Sequence, residues 1–160
     1  MTTITIRLAE VTDVARLNAA LRELSSDLND THLARDNDLE LAGFGKSPCF
    51  SALLAESQNE VVGVAMFSSL YSTTRGAPGV FVSDLWVAKS KRGNGIARNL
   101  LAEVCESAAS QWGAAFLRLN VYSHNQPAIE AYEKLGFDAD LHEAVMTLNL
   151  EKFDTLRIKK

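Results

Sequence analysis

Apolar and polar residues alternate at the start of the chain. Ile4, Ile6 and Leu8 are separated by Thr5 and Arg7, which is the two-residue period of a half-buried strand. The pattern therefore predicts that the chain begins with a strand that has one buried face.

Two helices are expected next. Apolar residues recur at helical spacing over residues 14–28, with Thr12 as the predicted N-cap and Asp13 as the acidic residue of the first turn. A second helix is predicted over residues 32–41, because two glycines and a proline follow it.

Short apolar runs then predict a sheet. The runs over residues 50–56 and 61–69 are bridged by the Ser-Gln-Asn of residues 57–59, which is typical of a hairpin. A loop is expected over residues 72–79. The remaining predicted elements are a strand, a helix ending near Trp112, a strand, a helix and a last strand: 80–87, 96–112, 116–122, 127–135 and 145–150. This order indicates an α/β fold with a mixed sheet and a single domain over residues 1–160.

Composition and charge narrow the classes of function. Net charge is -4 and the pI is near 5.4, which disfavours a general binder of nucleic acid or anionic membrane. The chain has neither a signal-peptide core nor an apolar run of about eighteen residues, so a cytoplasmic location is expected. Cys49 and Cys105 are predicted to be reduced core residues, and no Cys/His ligand cluster suggests a metal.

The stretch KRGNGIARNLL, residues 91–101, places Gly93 and Gly95 directly before the long predicted helix. A glycine-rich helix start lets a phosphate approach unpaired backbone N–H groups closely. Lys89, Lys91 and Arg92 stand at the same end, although the helix dipole prefers anions there. The two interpretations are a phosphate cradle, or a tight turn with solvated cations. Neither a dinucleotide fingerprint nor a P-loop fits the spacing.

A second group of residues surrounds the short helix predicted at 127–135. Asn125 precedes this helix, Tyr132 lies next to its apolar face, and Gly136 closes it. By themselves, Asn125 is accounted for as a helix cap and Tyr132 as an amphipathic residue at the edge of the core.

Taken together, the two motifs resemble those of the GNAT superfamily of acyl-CoA-dependent N-acetyltransferases. The RxxGxG/A signature is matched by Arg92, Gly95 and Ala97 between a strand and a helix. The downstream NxxAxxxY pattern with its GF ending is matched by Asn125, Ala128, Tyr132, Gly136 and Phe137. Within the superfamily the chain is most similar to diamine acetyltransferases of the spermidine/spermine and thialysine types. That likeness rests on three stretches and spans roughly residues 4–137: 43–56, 71–76 and 82–87.

The resemblance implies a fold and a donor. The fold would be a mostly antiparallel central sheet of about six or seven strands, splayed in the middle and flanked by about four helices. The donor would be acetyl-CoA, with its pyrophosphate on main-chain amides at the start of the long helix and its pantetheine beside the preceding strand. The residues implied in donor binding are Leu85, Trp86, Val87, Arg92, Gly93, Asn94, Gly95, Ile96, Ala97, Arg98 and Asn125. A homodimer through the C-terminal region, where residues 153–160 would cross between subunits, is also implied.

The chemistry requires a base and an acid. An alkylammonium with a pKa of about 10.4 is almost fully protonated at pH 7, so a proton must leave before the amine attacks. Asp84 is the candidate base, directly or through water, because Ser83 stands where the diamine enzymes carry a further acidic residue. Tyr132 is the candidate donor of a proton to the leaving thiolate. A backbone N–H of Leu85 or Trp86 would stabilise the oxyanion.

Substrate binding is assigned to two carboxylates. Asp84 could hold the cation of the acceptor as well as accept its proton, and Asp27 could supply a second anionic contact. The alternatives are a satisfied carboxylate at the end of a strand for Asp84 and a solvated charge at the end of a helix for Asp27.

The predicted function is transfer of an acetyl group from acetyl-CoA to a primary amine of a small cationic molecule, polyamine-like or amino-acid-like, in a ternary complex. Cys105 is not expected to form an acetyl-enzyme, because the helical spacing predicts that it lies on the apolar face of its helix. The alternatives are a protein or peptide amine as acceptor, a non-catalytic acyl-CoA sensor, and a purely structural domain. No metal, nucleic acid or membrane partner is expected.

Overall fold

The computed structural model of the protein describes residues 3–158. Its five strands form a single sheet in the order β1-β2-β3-β4-β5. Pairing is antiparallel from β1 to β4 and parallel between β4 and β5. The strands are β1 (Thr5–Leu8), β2 (Ser51–Ser57), β3 (Glu60–Ser72), β4 (Ala77–Val87) and β5 (Leu117–Leu119).

Five α-helices accompany the sheet, and the chain contacts group all these elements into two compact units. The first unit ends at Tyr122 and contains the whole sheet; the second begins at Ser123. A single domain therefore stays a prediction. The helices are α1 (Val14–Leu28), α2 (Asp36–Phe44) and α3 (Ile96–Trp112) in the first unit, and α4 (Gln126–Lys134) and α5 (Leu150–Arg157) in the second.

The sheet of the first unit is covered on both faces. On one face, Leu17 of α1 and Leu39 of α2 belong to the same buried cluster as Leu54 and Val64 of the sheet. On the other face α3 approaches β3 so closely that a Cβ at Gly63 would lie 3.0 Å from Leu100 Cδ1. Burial of apolar side chains on two faces makes β2, β3 and β4 the rigid centre on which the loops are mounted.

The hairpin between β2 and β3 confirms its prediction. Gln58 and Asn59 form the connection with positive φ angles of 51° and 67°. Two consecutive residues in this region are typical of the tight turns that match the twist of an antiparallel pair.

A cluster of charged side chains closes the start of α1. The Asp13 carboxylate accepts hydrogen bonds from Arg7 Nη1 at 2.7 Å and from the Glu10 backbone N–H at 2.9 Å. Arg7 also binds Glu56 of β2, with Nε to Oε2 at 2.8 Å. The predicted cap at Thr12 is wrong, because a 3₁₀ turn over Val11–Asp13 precedes the helix and Asp13 takes the capping position.

Other boundaries also differ from the sequence prediction. Strand β3 continues to Ser72 and β4 begins at Ala77, so the loop expected over residues 72–79 is confined to residues 73–76, because cross-strand pairing extends both strands. Helix α2 begins at Asp36 and not near residue 32, because the Asp38 carboxylate accepts the Arg35 backbone N–H at 3.1 Å and fixes a later start. Strand β5 is shorter than predicted and covers only Leu117–Leu119.

The last predicted strand, residues 145–150, is wrong. Within residues 3–158 these positions pair with no other strand, and α5 begins at Leu150. A strand is stable only when an edge is available to pair with it, so alternating apolar residues alone do not form one. The described part of the chain therefore has five strands and five α-helices, against about six or seven and about four expected.

Among the described residues, no helix combines the length and the apolar character that crossing a membrane would require.

Candidate active site

Strand β4 contains a bulge at Ser83. Met66 of β3 lies opposite Asp84, while the next residue, Phe67, lies opposite Val82, so Ser83 has no partner of its own in the register. Its hydroxyl donates to the Met66 carbonyl at 3.5 Å. A bulge bends a strand and redirects the side chains beside it.

The sheet opens beyond this bulge. Parallel pairing of β4 with β5 ends at Val82 and Leu119, whereas β4 continues to Val87. Among residues 3–158, the last residues of β4 therefore pair with β3 alone. This is the splay that the resemblance implied.

The register indicates which β4 amides face the opening. The Ala88 N–H donates to the Val62 carbonyl at 2.9 Å, and hydrogen-bonded and non-hydrogen-bonded residues alternate along an antiparallel pair. Trp86 consequently turns its N–H toward β3, and Leu85 and Val87 turn theirs away from it. Of the two predicted oxyanion donors, Leu85 is the one whose amide is directed to the open side.

The turn before α3 requires its two glycines. Gly93 and Gly95 have φ angles of 78° and 76°, in the left-handed region that other residues rarely adopt. A Cβ on either would meet nothing within 4 Å, so backbone conformation and not lack of space demands glycine. Asn94 between them closes the turn with hydrogen bonds to the carbonyls of Lys91 at 3.1 Å and Arg92 at 3.2 Å.

Helix α3 begins without a side-chain cap. Its first backbone hydrogen bond runs from the Asn99 N–H to the Gly95 carbonyl at 3.0 Å, so the N–H groups of Ile96, Ala97 and Arg98 have no intrahelical partner. Gly95 is the N-cap residue, and the first turn contains no acidic side chain. These orphan donors and the positive end of the helix dipole are suited to bind a phosphate.

Two of the cations predicted near this turn are bound to Asp27, in the last turn of α1. Arg92 Nη2 lies 2.5 Å from Asp27 Oδ2, and Lys89 Nζ lies 2.9 Å from Oδ1. The Trp86 indole N–H also donates to Oδ2 at 3.1 Å. Burial alone would raise the pKa of Asp27, but the hydrogen bonds from Lys89, Arg92 and Trp86 hold it below its ordinary value. Asp27 is thus ionised and paired, an arrangement that sequence reasoning missed.

Asp84 has a different environment. It is half-buried, and it shares a sheet face with Trp86, two residues further along β4. Within residues 3–158 the Asp84 carboxylate makes no hydrogen bond or ion pair, so it is not a satisfied carboxylate at the end of a strand.

The second unit contains the other motif. The Asn125 side chain caps α4 by accepting the Ala128 N–H at 3.4 Å, and Gly136 ends that segment with a φ of 93°. The Tyr132 ring packs on Phe137 with centroids 5.5 Å apart. Burial raises the pKa of Tyr132, so its phenol stays protonated at neutral pH and can donate a proton.

The cysteine prediction is wrong in one respect. Cys49 and Cys105 are free, but both are exposed and not part of the core. Cys105 lies next to buried Val104 and Leu101 on α3, one position away from the face that packs on the sheet. Desolvation raises the pKa of the Cys105 thiol, which disfavours the thiolate that an acetyl-enzyme would need. Among the described residues, no group of three His, Cys, Asp or Glu side chains could hold a metal ion.

An open strand edge beside a helix start with unpaired amides is suited to hold an extended, phosphate-bearing ligand. Residues 17–137 match the model of the acetyltransferase (GNAT) family. The thialysine N-epsilon-acetyltransferase of Sus scrofa is 30% identical over 154 residues, covering 90% of this chain and 89% of the relative. The enzyme of the same name from Mus musculus is 32% identical, covering 82% of each. The chain belongs to the GNAT acetyltransferase family and is an acetyl-CoA-dependent N-acetyltransferase.

Solved structures agree on the fold. An integron cassette protein from the mobile metagenome of V. cholerae has a TM-score of 0.80 at 18% identity, covering 96% of each chain. An aminoglycoside N-acetyltransferase in complex with CoA has a TM-score of 0.75 at 19% identity, covering 94% of this chain and 96% of that one. At these identities the likeness supports the architecture alone.

Proposed function

We propose that the protein transfers the acetyl group of acetyl-CoA to a primary amine of a small cationic molecule, by direct attack in a ternary complex. The observation that carries the proposal is the start of α3. Its unpaired amides, its left-handed glycines and the absence of an acidic side chain in its first turn support binding of a diphosphate there.

The donor would contact two elements of the first unit. Its pyrophosphate would accept hydrogen bonds from amides of the turn and first helical residues, Gly93 to Arg98. Its pantetheine would run beside Leu85 to Val87, because in the described part of the chain that side of β4 pairs with no strand beyond Val82. The predicted contribution of Asn125 is less direct, since its side chain already caps α4.

Asp84 would prepare the amine. The unpaired carboxylate can attract the cationic acceptor and take its proton, directly or through water, after which the neutral nitrogen can attack the thioester carbonyl. The Leu85 N–H would stabilise the negative charge that develops on the carbonyl oxygen. Tyr132 would protonate the sulfur of CoA as it leaves, and its raised pKa keeps that proton available across the physiological range.

The acceptor is proposed from likeness and from charge. Relatives that share about a third of their residues with this chain are named thialysine acetyltransferases, which favours an amino-acid-like amine. Ser83, at the bulge, removes one of the acidic residues found in the diamine enzymes, which favours an acceptor with a single ammonium near Asp84 over a long polyamine. A protein or peptide amine remains the second candidate acceptor.

A panel of acceptors tests the proposal. Thiol release from acetyl-CoA would be followed with thialysine, lysine, spermidine, an aminoglycoside and an N-terminal peptide. We expect an amino-acid-like amine to give the highest kcat/KM. Binding of CoA without thiol release with any amine would favour a sensor, and no binding of CoA would favour a structural domain.

Two substitutions test the assigned roles. Asp84→Asn is expected to lower kcat/KM for the amine by about a hundredfold and to leave CoA affinity unchanged. Tyr132→Phe is expected to lower kcat by about tenfold or more at constant CoA affinity, with Tyr71→Phe, an exposed tyrosine of β3, as its matched control. A fully active Tyr132→Phe enzyme would remove the proposed acid.

We also propose that the protein is a homodimer. Apolar side chains of the C-terminal region are exposed, including Val145 at 75% and Met146 at 93%, and exposed apolar clusters mark interaction surfaces. Light scattering should give a dimer that Met146→Asp weakens. A concentration-independent monomer would contradict this proposal.

The cytoplasm is the proposed compartment. Two free and exposed thiols are compatible with a reducing environment. Fractionation of cells that express the protein would test the location.

A further inference from the structure

We propose that Asp27 is a positioning residue, which holds the loop between β4 and α3 in the conformation that binds the donor and does not contact the amine. This inference rests on the proposed function, because it assigns the same loop to the pyrophosphate of acetyl-CoA. It replaces the expectation that Asp27 is an anionic contact for the acceptor.

The location of Asp27 makes cationic partners necessary. It lies in the last turn of α1, where the negative end of the helix dipole disfavours a carboxylate. Its side chain is only 14% exposed, so water stabilises the charge poorly. Lys89 and Arg92 supply the compensating charge from a segment that lies far away in the sequence.

Arg92 connects Asp27 to the end of the strand. Its Nε donates to the Val87 carbonyl at 2.9 Å while its Nη2 reaches the carboxylate. The signature arginine is therefore directed back toward β4 and α1 and fixes the residue at which the glycine turn begins. Lys89 Nζ binds the other carboxylate oxygen at 2.9 Å and fixes the 3₁₀ turn formed by Lys89–Lys91.

The fixed loop start matters because the turn itself is flexible in principle. Gly93 and Gly95 lose more conformational freedom on ordering than other residues would. A loop that is already held at Lys89 and Arg92 loses less entropy when the diphosphate binds, which increases affinity without a new contact to the ligand.

The third partner of Asp27 is in the strand. The Trp86 indole N–H donates to it at 3.1 Å, and Trp86 follows Leu85, whose amide faces the opening. One carboxylate thus links both parts of the proposed donor site, the amides of the turn and the open edge of β4.

The same contacts argue against a role in binding the amine. Two cations and an indole already surround the carboxylate. An incoming ammonium would have to displace Lys89 or Arg92, whereas Asp84 makes no ion pair with the described residues and needs no such exchange.

The experiment compares the KM for acetyl-CoA with the KM for the amine. Asp27→Asn keeps the shape of the side chain and removes its charge, and Asp27→Glu keeps the charge and displaces it by one methylene. We expect the KM for acetyl-CoA to rise about tenfold in Asp27→Asn, equivalent to about 1.4 kcal/mol, and about threefold in Asp27→Glu. The KM for the amine and kcat should stay within about twofold of wild type.

Glu23→Gln is the matched control, because Glu23 is exposed on α1 one turn earlier. It should change neither KM. A role limited to folding would lower the melting temperature and leave both KM values unaltered, and that result would overturn the inference. A selective rise in the KM for the amine would also overturn it and return Asp27 to the acceptor site. If Asp27→Asn does not fold, an unchanged KM for acetyl-CoA in Asp27→Glu would overturn the inference.

The wild-type enzyme separates the two proposals. CoA affinity by calorimetry and thiol release with the amine panel test the function before any variant is made. Wild-type protein that binds no CoA would end both proposals. If the wild-type protein binds and turns over acetyl-CoA and Asp27→Asn has unaltered KM values, only the inference about Asp27 is contradicted.

Discussion

The starts of helices α1 and α3 are built in opposite ways. Before α1, Asp13 provides an anion of the chain itself, which binds the Glu10 backbone N–H and is paired with Arg7. Before α3, the cap residue is Gly95, which has no side chain, and the preceding 3₁₀ turn contains the cations Lys89 and Lys91. The first helix start is completed by the fold, because the preceding 3₁₀ turn pairs the Asp13 and Val14 N–H groups with the Glu10 and Val11 carbonyls. The second offers unpaired amides to an anion from outside, and this difference is the main support for the proposed donor site.

The largest effect is expected on stability, from a substitution at the start of α1. Asp13→Asn should lower the free energy of unfolding by about 2–3 kcal/mol, because it leaves buried parts of the Arg7 and Glu56 network without the central charge. Urea denaturation measures this loss. The KM for acetyl-CoA should not change, and a selective change in that KM would break the comparison.

A matched control for Asp13 exists in α2. Asp38 also binds an arginine, Arg35 at 2.9 Å, but that arginine is 80% exposed. Asp38→Asn should therefore destabilise the protein much less than Asp13→Asn does. Equal losses in the two variants would show that the network around Asp13 is no stronger than an ordinary surface pair.

The next effect is expected at the open helix start. Gly95→Val places a β-branched residue at a φ of 76°, which costs about 1–2 kcal/mol and should distort the turn. Affinity for CoA, measured by calorimetry, should fall about tenfold or more. Gly113→Val is the control, because Gly113 ends the same helix with a φ of 72° and an equally open surrounding. Equal affinity losses in the two variants would assign the effect to helix stability.

A smaller effect is expected if α3 is given an anion of its own. Arg98→Glu introduces an acidic side chain in the first turn, which should stabilise the free protein by about 0.5 kcal/mol and reduce CoA affinity several-fold. Arg98→Gln removes the cation without adding an anion, and it should weaken binding less than Arg98→Glu does. Thermal shift and calorimetry report the two quantities. Tighter CoA binding by Arg98→Glu would contradict an anion site.

The smallest expected effect is on the pH dependence of stability, to which the start of α1 contributes carboxylates. The hydrogen bond from Arg7 holds the pKa values of Asp13 and Glu56 below their ordinary range near 4, although burial opposes the shift. These groups bind protons more readily in the unfolded chain, so their stabilisation is complete above about pH 4 and is lost as pH falls further. Asp13→Asn should flatten this acid limb, as measured by melting temperature from pH 7 to 3. If the melting temperature of Asp13→Asn fell with pH as steeply as that of the wild type, Asp13 would not contribute to this pH dependence.

The sequence predicted those features that depend on neighbouring residues. The helical spacing of apolar residues before Trp112 predicted α3, and the Ser-Gln-Asn stretch predicted the hairpin. The GNAT family was also predicted from short motifs, and comparison with known proteins confirms it. The roles assigned to Tyr132 and Asp84 stay predictions.

Features that depend on distant partners were missed. The bulge at Ser83 follows from the register of β4 against β3, and no local pattern distinguishes it. Asp27 and Arg92 are 65 positions apart, so their ion pair has no signal in the sequence spacing. The expected last strand failed for the same reason, since alternation indicates a strand but does not supply the edge that it needs.

The most direct test of the account is a crystal structure of the protein with CoA. We expect diphosphate oxygens within about 3 Å of the N–H groups of Ile96, Ala97 and Arg98, with Asp27 still bound to Arg92. A diphosphate bound elsewhere, with these amides facing only water, would contradict the assignment of the open helix start as the donor site.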